Sequence, residues 1–89
     1  MPKIKKEVII QNAQGLHARP AAMFVQIASK YDSQVTLEKG NERVNGKSIM
    51  GILTLGAQRN TRIMIEVDGS DAEPLIKELE ELLNKEHLQ

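Results

Sequence analysis

The chain has 89 residues, 12 Lys/Arg against 12 Asp/Glu, and no cysteine. One domain over 1–89 is expected, with room for a single core and enough burial to fold without disulfides or a structural metal. Thiolate metal sites and a Cys nucleophile are excluded, which fits a reducing cytoplasm. No run approaches the ~20 apolar residues of a membrane span, and the opening "MPKIKKEVII" lacks the small-residue cleavage site of a signal peptide.

The charge is unevenly placed. Residues 1–65 hold ten Lys/Arg against four Asp/Glu, a net +6, and residues 66–89 hold two against eight, a net −6. This describes a mildly basic body, suited to acidic or phosphorylated partners, beside an acidic C-terminal helix. Phe24 and Tyr31 are the only aromatics and no dense basic run exists, so nucleic-acid binding is not expected.

In chain order, "KIKKEVII" puts Ile4, Val8 and Ile10 on one face of a strand and Lys5 and Glu7 on the other. "QNAQG" breaks it. Residues 18–30 read as a helix with Ala21, Phe24, Val25 and Ala28 on its inner stripe, leaving Met23 and Ile27 unexplained. "QVTLE" and "ERVN" read as strands that turn Val35, Leu37 and Val44 inward, joined by a hairpin turn at Gly40–Asn41. "SIMGILTLG" reads as a short helix with Ser48 as N-cap and Gly56 just past its end. "RIMIEV" is a strand with Ile63, Ile65 and Val67 on one face. Asp71 then caps a helix over 72–86, whose Leu75, Ile76, Leu79, Leu82 and Leu83 repeat with helical spacing. The order is β-α-β-β-α-β-α. Four strands with one apolar face each predict an α+β fold with a mostly antiparallel sheet, wet on one side and covered by helices on the other.

Two helix starts invite comparison, H-A-R-P at 17–20 and D-A-E-P at 71–74. The first N–H groups of a helix lack internal partners and lie in a positive field. Proline in the first turn wastes no donor. Asp71 supplies an anion to such an end; His17 supplies none, and as imidazolium it would be repelled. That leaves an anion site beside a neutral, nucleophilic nitrogen. A phosphoryl group on His17 would resolve the mismatch, with oxygens held by the N–H groups of Ala18 and Arg19 and by the Arg19 guanidinium. Gly15 lets the chain turn closely before the site. A helix terminus contributes ~0.3–1 kcal/mol, up to ~2 when partly buried, and an exposed Arg contact on the order of 1 kcal/mol. That steadies a phosphohistidine without trapping it. Spacing alone keeps the plainer reading open, in which His17 is a surface loop residue. His87 falls in a tail expected to fray. Near His17 in sequence there is no second histidine, cysteine or carboxylate to form a triad or metal site, so neither metal nor cofactor is expected.

"GLHARPAA" followed by "VNGKSIMGILTLGA" closely resembles the HPr family, the histidine-containing phosphocarriers of the bacterial phosphoenolpyruvate:sugar phosphotransferase system. The resemblance covers nearly the whole chain. It implies an open-faced β-sandwich, a four-stranded antiparallel sheet of order 1-4-2-3 with three helices on one face. It also implies that His17, through Nδ1, takes a phosphoryl group from enzyme I and passes it to the IIA domain of a sugar permease, with Arg19 and Pro20 matching the family's phosphate-assisting residues. Such a protein is a carrier more than an enzyme, cytoplasmic, monomeric and free of cofactors. Ser48 matches a serine that a kinase/phosphorylase modifies in many bacteria, giving a form that in some of them binds a catabolite repressor. Ile49, Met50 and Leu53, with Ala22 and Gln26, match the surface that meets enzyme I and IIA; Ile49, Met50 and Leu53 also read independently as an apolar patch facing water, opposite Ile52 and Leu55. Gln14 departs from many relatives, which puts a side-chain contact from there to phosphate in doubt. Two other readings are a nitrogen-branch regulatory phosphocarrier and a regulatory binding module in which His17 is incidental.

Overall fold

The computed structural model describes residues 2–88. Its elements are β1 (Lys3–Ile9), α1 (Ala18–Ala28), β2 (Gln34–Lys39), β3 (Glu42–Asn45), α2 (Ile49–Thr54), β4 (Arg62–Asp68) and α3 (Ala72–Asn84). The strands form one antiparallel sheet of order β1-β4-β2-β3. β4 is central because its inner side chains are the most consistently apolar: Ile63, Ile65 and Val67 are all buried. The β2–β3 hairpin turns on Gly40–Asn41, between the paired Lys39 and Glu42. The expected α+β layout and sheet order are those observed.

Strand pleating divides the sheet into two faces. Val8, Val35, Leu37, Ile63, Ile65 and Val67 point to the helices and build the core with Ala21, Phe24 and Ala28 of α1, Ile52 of α2, and Leu75, Ile76, Leu79, Leu82 and Leu83 of α3. The other face is charged. Glu38 meets Arg43 at 2.9 Å and Lys5 at 3.6 Å, and Glu66 meets Lys3 at 3.8 Å. Exposed pairs of this kind contribute little each; they keep the open face wetted. Met23, Val25 and Ile27 sit half-buried against the core, so α1 buries a wider stripe than its strict periodicity suggests.

The expected helix limits move at both C-terminal ends, α1 stopping at Ala28 and α3 at Asn84. More consequential is Asp71. Its side chain makes no cap bond to α3; its carboxylate instead accepts from the N–H of Asp32 (2.8 Å), the N–H of Ser33 (3.0 Å) and the Ser33 hydroxyl. Three donors converging from the α1–β2 turn outcompete the start of the helix. The Ala72 N–H turns back to Gly69 O at 3.2 Å, and Glu73 supplies the first-turn negative charge. A second stitch lies alongside: the Tyr31 hydroxyl and the Lys30 ammonium both donate to Glu78.

These contacts fix a pH dependence. The Ser33 hydroxyl foremost, then the Asp32 N–H, holds the Asp71 carboxyl below its usual range, and the Tyr31 hydroxyl, then Lys30, does the same for Glu78. A carboxyl depressed in the folded state stabilises above its unfolded pKa, about 4, and that contribution is lost as pH falls through the folded value. Asp71→Ala should therefore lower the urea midpoint clearly at about pH 7, and by less as pH falls below about 4 toward the depressed folded value, because the wild type is then losing the same contribution. In the same corner, a Cβ at Gly69 would stand 2.7 Å from the Ser33 Cα. Gly69→Ala should cost about 1–3 kcal/mol in urea unfolding, because backbone must shift to admit the methyl.

Candidate functional site

Three anchors build the turn that presents His17. The first is at the end of β1, where Ile10 N–H donates to Thr61 O at 3.0 Å and Ile10 O accepts from Asn60 N–H at 2.8 Å. The second is α3. Gln11 N–H donates to Leu83 O (2.8 Å), Ala13 N–H to Glu86 O (2.9 Å), and the buried Asn12 amide to Leu82 O (2.9 Å) and Lys85 O (2.6 Å). A helix's last carbonyls have no internal donors, so the loop supplies them. The third is the exit of α2. Gly56, at φ 58°, ends that helix in the left-handed conformation, and the next carbonyl, Ala57 O, accepts Leu16 N–H at 2.9 Å. Gly15 sits at φ 70°, and a Cβ there would lie 2.5 Å from Ala57 O and 2.9 Å from the Gln58 Cα. Only glycine fits both its angle and its neighbours.

His17 follows as the N-cap of α1, extended at φ −83° and ψ −169°, exposed, its ring making no cap bond. Its carbonyl accepts Ala21 N–H at 2.9 Å, the first bond of the helix. Among the described residues, the N–H groups of Ala18 and Arg19 donate to no protein group. Pro20, third in the helix and buried, has none to donate. Two main-chain donors at the positive end of an eleven-residue helix thus lie next to an exposed imidazole. Arg19 is exposed and in no ion pair among the described residues, while Arg59 pairs with Glu86 at 2.9 Å. The free guanidinium adds positive charge to the same end.

The other expected residues distribute as follows. Ser48 is the N-cap of α2, and its Oγ accepts from Gly51 N–H at 3.0 Å. Ile49 and Met50 are exposed, Met50 by 72%, while Ile52 and Leu55 are buried. Leu53 is half-buried and packs on the core, so the patch on α2 consists chiefly of Ile49 and Met50. Gln26 is exposed and Ala22 half-buried on α1, whose side α2 packs against. Gln14 is exposed.

Sequence reasoning overlooked Asn12, Arg59 and the tail. Residues 85–88 leave the helix yet are held by the bonds to Asn12, Ala13 and Arg59. Glu86, His87 and Leu88 form one wall of a cleft whose other wall is Asn12, Ala13, Gln14, Arg19 and Pro20. The one signal available was an asparagine just beyond an apolar strand, a residue able to satisfy main-chain groups at a distance. No described helix is long and apolar enough to cross a membrane.

Comparison with known proteins gives one consistent result. The family model for the PTS HPr component phosphorylation site matches residues 4–85. The phosphocarrier protein HPr of Neisseria meningitidis is 43% identical over 81 residues, 91% of either chain. Among solved structures, the phosphocarrier protein HPr of Bacillus anthracis superposes with a TM-score of 0.89 at 38% identity, over 93% of this chain and 99% of its own. An HPr dimer from Thermoanaerobacter tengcongensis is 51% identical over 84% of this chain and 86% of its own, with a TM-score of 0.70. Sequence, sheet order and the histidine-led helix all lead to the same place: the chain belongs to the HPr family, the phosphocarriers of the phosphotransferase system.

Proposed function

We propose that this chain carries a phosphoryl group on His17, accepting it from phosphorylated enzyme I and delivering it to IIA domains of sugar permeases. The observation that carries this reading is the unbonded His17 ring at the N-cap of α1, beside the unpaired N–H groups of Ala18 and Arg19. The Nδ1 lone pair of a neutral ring attacks phosphorus. An N–P bond forms as the bond from phosphorus to the donor breaks, and the donor keeps that electron pair. The added negative charge falls where main-chain donors, the helix field and Arg19 stabilise it. These are individually small effects, so the phosphoryl group leaves again readily.

Exchange with two partners requires docking that is specific and brief. Ile49, Met50 and Leu53 of α2, with Ala22 and Gln26 of α1, form that surface in this reading. Burying one such apolar side chain contributes at most ~1.5–3 kcal/mol, offset by the cost of association, which suits rapid release. Ser48, at the rim of this patch, is the site for a serine kinase/phosphorylase, and the serine-phosphorylated form would bind a catabolite repressor. The unit works in the cytoplasm as one domain and a monomer. Dimeric relatives make sedimentation over a range of concentrations the check on that last point.

Phosphorus NMR of the chain with enzyme I and phosphoenolpyruvate should show a phosphohistidine resonance, absent from His17→Ala; a signal that persists in the variant overturns the assignment. Ser48→Asp puts negative charge at the edge of an apolar contact. Its transfer from enzyme I should be slower than wild type, chiefly through a raised KM, as measured by steady-state kinetics.

A further inference from the structure

We propose that Asn12 is a positioning residue for phosphoryl transfer, registering the His17 turn against the C-terminal end of α3. The proposal rests on His17 being the phosphoryl acceptor. Asn12 is 1% exposed, among the most buried polar side chains described. Its amide nitrogen faces two carbonyls, Leu82 O and Lys85 O. That determines the orientation of the group, because the reverse would set oxygen against two oxygens. The consequence is that Asn12 Oδ1 is buried with no partner among the described residues. An unpaired buried acceptor costs stability. An apolar side chain would avoid that cost but leave Leu82 O and Lys85 O without these donors, so the balance of stability by itself does not account for the amide.

Its geometry does account for it. Of the carbonyls it serves, Leu82 O belongs to the last turn of α3, the negative end of that helix, and Lys85 O to the C-cap residue just past it. On either side, Gln11 and Ala13 donate their N–H groups to Leu83 and Glu86, so three consecutive loop residues are locked to one helix end. The Asn12 carbonyl in turn accepts Gly15 N–H at 2.9 Å, closing the turn that delivers His17. The other brace on that turn, Leu16 to Ala57, comes from the opposite direction, off the end of α2. Between them the two braces hold the imidazole at the start of α1. Without the amide, the α2 brace and the flanking main-chain bonds of Gln11 and Ala13 remain, and the register of the loop on α3 loosens. The ring then no longer keeps a single pose over the Ala18 and Arg19 donors, and a misplacement on the order of 1 Å lowers transfer about a hundredfold.

The experiment measures enzyme I-dependent phosphorylation of wild type, Asn12→Ala, Asn12→Asp and, as a control destabilised far from the site, Asp71→Ala. Asn12→Asp keeps the shape and removes both donors. Folding is checked by circular dichroism and urea unfolding. The expected result is a kcat lowered about tenfold to a hundredfold in both Asn12 variants, with KM unchanged because the α2 surface is intact, and wild-type kinetics for Asp71→Ala. Folded Asn12 variants with wild-type kcat, or an equal loss in Asp71→Ala, overturn the proposal. Should neither Asn12 variant fold, the wild-type chain supplies the measurement. The Asn12 side-chain amide protons should shift and change exchange rate when His17 is phosphorylated, and identical resonances and rates overturn the proposal. A wild-type chain that accepts no phosphoryl group overturns the carrier reading itself, an outcome distinct from wild-type transfer with indifferent variants.

Discussion

Everything at the site depends on donors that α1 cannot satisfy from within. An α-helix leaves its first N–H groups without partners, and most helices answer with a capping side chain or water. Here the N-cap is His17, whose ring makes no such bond, and Pro20 removes one donor altogether, leaving Ala18 and Arg19 to face outward. The rest of the chain can be understood as keeping that end in place. Gly15 admits the close pass against Ala57, Leu16 ties the turn to the exit of α2, and Asn12 ties it to the end of α3. A site made of main-chain groups has no side chain to mutate into rigidity, so its precision is borrowed from neighbouring elements.

The same logic explains how two helices serve one surface. α2 is six residues long and contains Gly51, so propensity alone does not sustain it. Ser48 caps it, Ile52 and Leu55 anchor it in the core, and the Lys39 ammonium donates to Leu55 O at 2.9 Å at its far end. Held that way, it can leave Ile49 and Met50 exposed without unravelling.

The separation of charge along the chain acquires a structural use. The acidic α3 region is pinned to the basic body by Lys6–Glu80, Lys30–Glu78 and Arg59–Glu86. Individually these exposed pairs are weak; together they consume much of the basic excess. Arg19 stays outside this pairing among the described residues. Lys39 and Lys47 also stand outside it, with their ammonium groups donating to the Leu55 and Tyr31 carbonyls, and Arg19 adds an unengaged positive charge at the start of α1.

Much could be read without coordinates, and the reason is periodicity. Alternation in β4 and the leucine repeat of α3 depend on burial by one sheet face and one helix stripe, so the elements and their order follow from residue types alone. Ser48 and Gly56 mark the limits of α2 through bonds between near neighbours, which spacing reveals. Even His17 stood out locally, as an imidazole where a cap belongs. What spacing could not reach were contacts between residues distant in the chain. Asp71 fits a cap motif, yet the fold brings three better donors from 32–33 to its carboxylate. Asn12 sits in a stretch that reads only as a break, and its partners lie seventy residues on. The tail of α3 carries no periodic signal after Asn84, yet the site loop and Arg59 hold it. Local propensity determined the elements; hydrogen-bond partners far apart in the chain became available only once the core had brought the ends of α1, α2 and α3 together.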